Sequence, residues 1–144
     1  MKRMNKELLC FLLMVTMTIS VTSQSILGKW RTVDDKTGEE KSIVEIYESK
    51  GSLFGKIIEI FDPQKRYLPC KFCKGQDHNE PILGLEIIKN MKKDDDSYRG
   101  GTITDPQDGK IYRCRLKLED KNTLQVRGYI AFFYATQYWK RDKE

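Results

Sequence analysis

Cys70 and Cys73 stand two residues apart, and with Cys114 and the single histidine, His78, they are the residues best suited to redox or metal chemistry. A Cys-x-x-Cys pair works as a redox centre when its first thiolate sits at a helix N-terminus in a βαβ unit, where the dipole lowers its pKa. Here Pro69 leads the pair into a loop and no such unit surrounds it. Cys70, Cys73, His78 and Cys114 also have the ligand types of a tetrahedral zinc site, but only one Cys-x-x-Cys pair exists and the histidine falls in a loop. In an oxidising compartment thiols pair. The local disulfide Cys70–Cys73 would pin the loop, while a long-range pair of Cys114 with either partner would staple that loop to the rest of the chain. Left unpaired, Cys114 reads as a small buried hydrophobe on the apolar face of a strand. The pattern calls for no cofactor and no resident metal.

Other catalytic constellations are not matched. Asp94, Asp95, Asp96, Asp105, Asp108 and Asp120 fall in turn-like stretches without calcium-loop spacing. There is no Gly-x-Ser-x-Gly and no phosphate loop, and a nucleophile–histidine dyad would have to recruit His78. The expectation is a protein that is not an enzyme. Charges inside apolar runs offer recognition chemistry instead. Glu86 interrupts Leu85-Glu86-Ile87-Ile88, and Arg127 stands in Val126-Arg127-Gly128-Tyr129. Simple alternation puts both on a wetted outer face. Facing inward, they would be polar anchors in an apolar cavity, where Glu86 would need Arg127, Tyr129 or a ligand as partner. Ala131-Phe132-Phe133-Tyr134 is an apolar connection, whereas connections normally face water. It either caps one end of the fold, forms the lip of a ligand entrance or touches a membrane surface. The candidate ligand-binding set is therefore Glu86, Arg127, Tyr129, Phe132 and Phe133.

The elements that must position these residues start after a targeting segment. Met1 to Glu7 is basic, Leu8 to Val15 is apolar, and Val21 and Ser23 suit the −3 and −1 positions of a signal-peptidase site. Cleavage after Ser23 leaves a single domain of residues 24–144, exported to the periplasm or secreted. Cys10 belongs to the apolar run of the signal. Removing Lys2, Arg3, Lys6 and Glu7 lowers the net charge from +5 to +3. The remaining charge is mixed, with no basic–aromatic stripe, so no nucleic-acid partner is expected.

Eight β-like runs follow: Leu27–Val33, Ser42–Glu48, Ser52–Phe61, Ile82–Met91, Tyr98–Thr104, Ile111–Glu119, Thr123–Ala131 and Thr136–Arg141. Turn chemistry separates most of them, as in Asp34-Asp35-Lys36-Thr37-Gly38. Asp62 to Pro81, with Pro63, Pro69, Gly75 and both loop cysteines, is a long ordered loop. A helix competes over Ile82–Met91, where Leu83, Ile87 and Met91 fall four apart, but Gly84 and the flanking strands favour strand. In Ile111–Glu119, Tyr112, Cys114, Leu116 and Leu118 alternate with Arg113, Arg115, Lys117 and Glu119, one face to a core and one to water. The fold class is all-β. Eight antiparallel strands in sequence order close most simply into an up-and-down barrel, whose interior either is filled or holds one small ligand.

Several strings together carry a family likeness. They are Gly28-Lys29-Trp30, Ile43-Val44-Glu45-Ile46-Tyr47, Cys70-Lys71-Phe72-Cys73-Lys74-Gly75, Pro81-Ile82-Leu83-Gly84, Gly100-Gly101-Thr102-Ile103-Thr104-Asp105-Pro106 and Leu124-Gln125-Val126-Arg127-Gly128-Tyr129-Ile130. The chain resembles an uncharacterised family of exported bacterial proteins, domain of unknown function 2147. The resemblance implies a lipocalin-like barrel and brings no catalytic residues. It also implies that Trp30 closes one barrel end beneath a basic residue of the last strand, Arg141 or Lys140, where a guanidinium over an indole contributes roughly 0.5–1 kcal/mol. Two functions are compatible with this: binding of a small apolar or amphipathic molecule, or a filled barrel that binds another envelope protein. Intact-mass measurement of the exported product should give a chain that starts at Gln24, within about two residues; a membrane-bound product that keeps residues 1–23 would refute cleavage.

Overall fold

A computed structural model describes residues 23–143, so the expected signal segment lies outside the described residues except for Ser23. Eight strands run in order: β1 (Gly28–Val33), β2 (Glu40–Ser49), β3 (Ser52–Ile60), β4 (Glu86–Asp94), β5 (Ser97–Thr104), β6 (Ile111–Asp120), β7 (Thr123–Ile130) and β8 (Phe133–Arg141). Each pairs antiparallel with the next, and β1 pairs with β8, which closes the up-and-down barrel. Closure leaves no strand edge open for pairing with another chain. Aspartates hold several of the turns by accepting backbone N–H groups two residues on. Asp34 accepts from Lys36 at 2.8 Å, Asp105 from Gln107 at 2.9 Å and Asp120 from Asn122 at 2.7 Å.

Two boundaries differ from the sequence-based expectation. β4 begins at Glu86, not Ile82. Gly84 takes a φ of 93° and Leu85 donates its N–H to the Ile82 carbonyl at 3.1 Å, so residues 82–85 form a turn beside β3. Their apolar side chains imitate a strand because Ile82 and Leu83 pack on the core from that turn. β8 begins at Phe133, not Thr136. Ile130 pairs with Phe133, and Ala131 and Phe132 alone make the turn, with Ala131 at a φ of 50°. The expected four-residue connection is thus a two-residue hairpin turn. The aromatic residues after it suit a pleated surface, where Tyr134 meets Tyr129 across the strands with ring centroids 6.0 Å apart.

The stretch from Asp62 to Pro81 is the expected loop, with one 3₁₀ turn at Gly75–Asp77 and a bridge from Pro69 to Pro81. Cys70 and Cys73 are joined by a disulfide and are buried. The loop packs against the β5–β6 turn so closely that a Cβ on Gly109 would lie 1.9 Å from the Phe72 carbonyl oxygen. Only glycine fits there, and its φ of 70° suits glycine as well.

A packed layer divides the interior: the β7–β8 end is open, and at the opposite end a second pocket of about 370 Å³ lies between the segment before β1 and Leu53, Met91, Tyr98 and Leu118. In that layer Trp30, Ile46, Met91, Leu116, Leu124 and Trp139 are fully buried. Arg141 lies over the indole of Trp30, 4.2 Å from the ring centroid, and Trp30 donates its indole N–H to the Ile26 carbonyl at 2.9 Å. The same guanidinium donates to the carbonyls of Ser25 (2.6 Å), Leu27 (3.1 Å) and Lys121 (2.6 Å). Replacing Trp30 with Ala should lower stability by about 3–5 kcal/mol in urea unfolding, as for other deleted buried aromatics. A loss under about 1 kcal/mol would show that this layer does not depend on the indole.

Candidate functional site

The open end holds a cavity of about 410 Å³, within the roughly 300–1,000 Å³ range of small-molecule sites. Strand register explains why it is there. Across β5 to β8, Gly101 pairs with Cys114, Cys114 with Gly128, and Gly128 with Ala135. Cross-strand partners share a face, so four small side chains form a row across the inner wall. Gly101 is taken up by its neighbours: a Cβ there would lie 2.6 Å from the Met91 sulfur. At Gly128 the ring of Tyr112 leans over the wall, 3.5 Å from where a Cβ would sit. Beyond Ala135 the space stays open and leads to the mouth.

The lining is two-sided. Ile57, Ile87, Ile103, Tyr112 and Val126 make an apolar wall. Thr32 of β1, Lys41 and Ser42 of β2, Gln137 of β8 and the turn residue Asp35 make a polar one. The polar groups hold one another in place. The hydroxyls of Thr32 and Ser42 are 2.7 Å apart. Gln137 donates to Asp35 at 2.8 Å and accepts the Trp139 indole N–H at 2.8 Å. Lys41 pairs with Asp34 at 2.6 Å. That bond, together with the N–H groups of Lys36 and Thr37, holds the Asp34 carboxyl well below the usual carboxylate range. A depressed folded-state pKa means the contribution is present above the ordinary carboxylate pKa and is lost as pH falls through the folded one. The cavity rim at the β1–β2 turn is therefore secure at neutral pH and loosens only in strong acid.

Of the candidate ligand-binding residues, the structure brings Phe133 to the cavity lining and leaves four others off it. Glu86 lies on the outer face beside Tyr47, in a cluster where Tyr47 stacks on Phe54 and Lys56 lies over the Tyr47 ring. Burial, with the Glu86 charge beside it, raises the Tyr47 pKa. Arg127 and Tyr129 are also outside: Arg127 donates to the Thr136 hydroxyl at 2.8 Å and lies over the Tyr134 ring at 4.6 Å. Alternation puts both charges outward, and the structure agrees: Ile87, next to Glu86, and Val126 and Gly128, on either side of Arg127, line the interior. Phe132 is fully exposed at the hairpin tip. The residues that form the polar wall, Thr32, Ser42 and Gln137, give no signal in the sequence, where they are ordinary strand polar residues.

Cysteine chemistry divides by location. The Cys70–Cys73 disulfide removes two of the four ligands of the zinc alternative, and the His78 ring nitrogen Nδ1 lies 3.0 Å from the Cys73 carbonyl. Cys114 is a free thiol in the barrel wall, and burial pushes its pKa up to about 12.

Residues 28–141 match the family described as an uncharacterised protein conserved in bacteria, DUF2147. The chain belongs to that family. The DUF2147 barrel is similar to a solved structure, protein HP1028 from the human pathogen Helicobacter pylori, described as belonging to the lipocalin family. The TM-score is 0.73 at 22% identity, over 85% of this chain and 86% of that one. At that identity the likeness is one of fold. No curated protein matches this DUF2147 chain.

Thiol titration follows from the cysteine placement. Without reductant the native protein should show no rapidly reacting thiol, and one should appear on unfolding. Three reactive thiols without reductant would mean that the disulfide does not form in the cell's product.

Proposed function

We propose that this DUF2147 protein is an exported, non-catalytic carrier that binds one small amphipathic molecule in the open half of the barrel. The observation that carries this is the two-sided cavity. Its apolar wall suits a hydrocarbon or aromatic body, and its polar wall offers hydroxyl, amide and charged groups to a head group. Removing apolar surface from water supplies affinity at roughly 25 cal/mol per Å², and the few polar groups fix orientation. The Cys70–Cys73 disulfide suits an oxidising compartment, which supports export. The lipocalin-like fold is compatible with such a role but is a weak warrant by itself. The rival function, a filled barrel that acts only through protein contacts, is disfavoured by the unfilled space beyond Ala135.

Ala135 supplies the test, because it lines the cavity and is exposed to it. Ala135→Phe should fill part of the space and weaken binding of an apolar fluorescent probe by about tenfold or more, with unfolding free energy changed by less than about 1 kcal/mol. A parent protein that binds no apolar probe, and that yields no retained small molecule in native mass spectrometry when purified from its own envelope, would overturn the carrier function.

A further inference from the structure

Exposed apolar surface on this barrel is concentrated at the open end. Phe132 is 100% exposed, Phe133 75% and Tyr134 63%. Ile130 and Ile111 flank them and are half exposed. Every other large exposed apolar side chain among the described residues, except Leu27 and Tyr138, lies on the β3–β4 connection that leaves from the same end. Contiguous exposed apolar surface of this kind marks an interaction site more often than chance. None of it contributes to the core, so it has no role in holding the barrel shut.

Next to this tip, the outer face of β6 and β7 carries a group of arginines. Arg113 pairs across the strands with Tyr129, and Arg115 with Arg127. Like charges directly opposite each other destabilise a sheet. The ion pairs among the described residues use other partners, such as Lys41 with Asp34, Lys89 with Asp77 and Lys117 with Asp96. None of them involves Arg113, Arg115 or Arg127. The Arg115 Nε is buried without a hydrogen-bond partner. Arg115 lies near enough to Asp96 to help hold that carboxyl low, whereas Arg113 and Arg127 have no ion-pair partner among the described residues.

The spacing of the two features fits one kind of surface. At roughly 3.4 Å per residue, Arg127 stands about 10 Å along the strand from Ile130, the last residue of β7 before the turn. Apolar groups at a lipid interface bury about 5–10 Å into the headgroup and acyl boundary. A tip made of Ile130, Phe132 and Phe133 would reach that depth and leave Arg113, opposite Tyr129, and Arg127, two residues further from the tip, on the headgroup side. Tyr129 and Tyr134, level with Arg113, are amphipathic rings of the type enriched at headgroup level.

We propose that the β7–β8 hairpin docks the open end of the barrel on an anionic phospholipid surface, with its aromatic tip inserted and Arg113 and Arg127 on the lipid phosphates. A second copy of this chain is a poorer occupant, because a symmetric contact would bring two arginine groups together. The cavity mouth adjoins this tip, since Ile130, Phe133 and Tyr134 belong to both. Docking nevertheless goes beyond the carrier function and needs nothing in the cavity.

The test uses residues 24–144, which contain the whole closed barrel, with sedimenting vesicles of phosphatidylethanolamine and phosphatidylglycerol. Phosphatidylcholine vesicles serve as the neutral comparison. Binding to the anionic vesicles should exceed binding to the neutral ones by about tenfold and should fall sharply between about 0.1 M and 0.5 M salt. Phe132→Ser should weaken it by about tenfold, and the double variant Arg113→Gln, Arg127→Gln by at least as much. Phe132 touches no core, so urea unfolding of Phe132→Ser should match the parent. Ala135→Phe, which obstructs the cavity, should bind vesicles like the parent, so loss of probe binding and loss of docking are separate results. Absence of binding to anionic vesicles would overturn docking. So would equal binding to neutral ones, or self-association that Phe132→Ser abolishes while vesicle binding is absent.

Discussion

The seam between β1 and β8 is the constraint on which the barrel depends. It has two Cα partners, Trp30 with Arg141 and Arg31 with Lys140, whereas the other neighbouring strands share longer ladders. Side chains make up the difference. Arg141 covers the indole of Trp30 and donates to three carbonyls, from the segment before β1 and from the β6–β7 turn. Arg31 bonds Asp142 at 2.6 Å and Glu40 at 2.6 Å, and Asp142 donates its N–H to the Lys29 carbonyl at 2.9 Å. A planar guanidinium with five donors can join backbone from several elements at once, and lysine at position 141 could not. If this seam parted, two strand edges would be exposed and the inner face would meet water.

Closing the seam and packing a layer around Trp30 leaves the β7–β8 end free to be open. Trp30 and Trp139 are buried in the packed layer, and beyond them the inward residues of the cavity include Ile57, Ile87, Ile103, Tyr112 and Val126. A barrel of eight strands is only just wide enough for side chains to fill, and Gly128 and Ala135 border the space that stays unfilled. The void is stable because its polar groups are paired before any ligand arrives. Thr32 with Ser42, and Gln137 with Asp35 and Trp139, are already satisfied. Unpaired polar groups there would cost free energy in the empty protein. A ligand head group therefore competes with existing bonds, which favours selectivity over raw affinity.

The long β3–β4 connection contributes indirectly. It is tied by its own disulfide, by the Pro69–Pro81 bridge and by the salt bridge from Asp77 to Lys89 on β4. Its backbone sits on Gly109 in the β5–β6 turn, which supplies Asp105, Pro106 and Gln107 to the cavity rim. A loop fixed at this point steadies one side of the mouth. The β7–β8 hairpin on the other side stands free, with its aromatic tip in solvent. The mouth thus has one braced side and one exposed side, and the exposed side is the one with both apolar and cationic character.

The barrel was legible in the sequence because period-two alternation and turn residues are local properties. Ile111–Glu119 shows its two faces directly, and Asp-led turns mark where strands must end. The same locality misplaced two boundaries. Apolar residues in the turn before β4 look like a strand whichever element holds them, and a hairpin turn made of Ala131 and Phe132 lacks the usual turn residues. The outward position of Glu86 and Arg127 followed from alternation, which is local as well. The cavity did not follow, for a physical reason. Gly101, Cys114, Gly128 and Ala135 are far apart in the chain, and only the register of four strands sets them side by side. Thr32, Ser42 and Gln137 likewise become one wall only because β8 closes on β1. Sequence determined that there is a barrel and left two facings open for Glu86, Arg127 and Tyr129; tertiary structure decided which residues face inward, which of them are neighbours, and so where the interior is full and where it is empty.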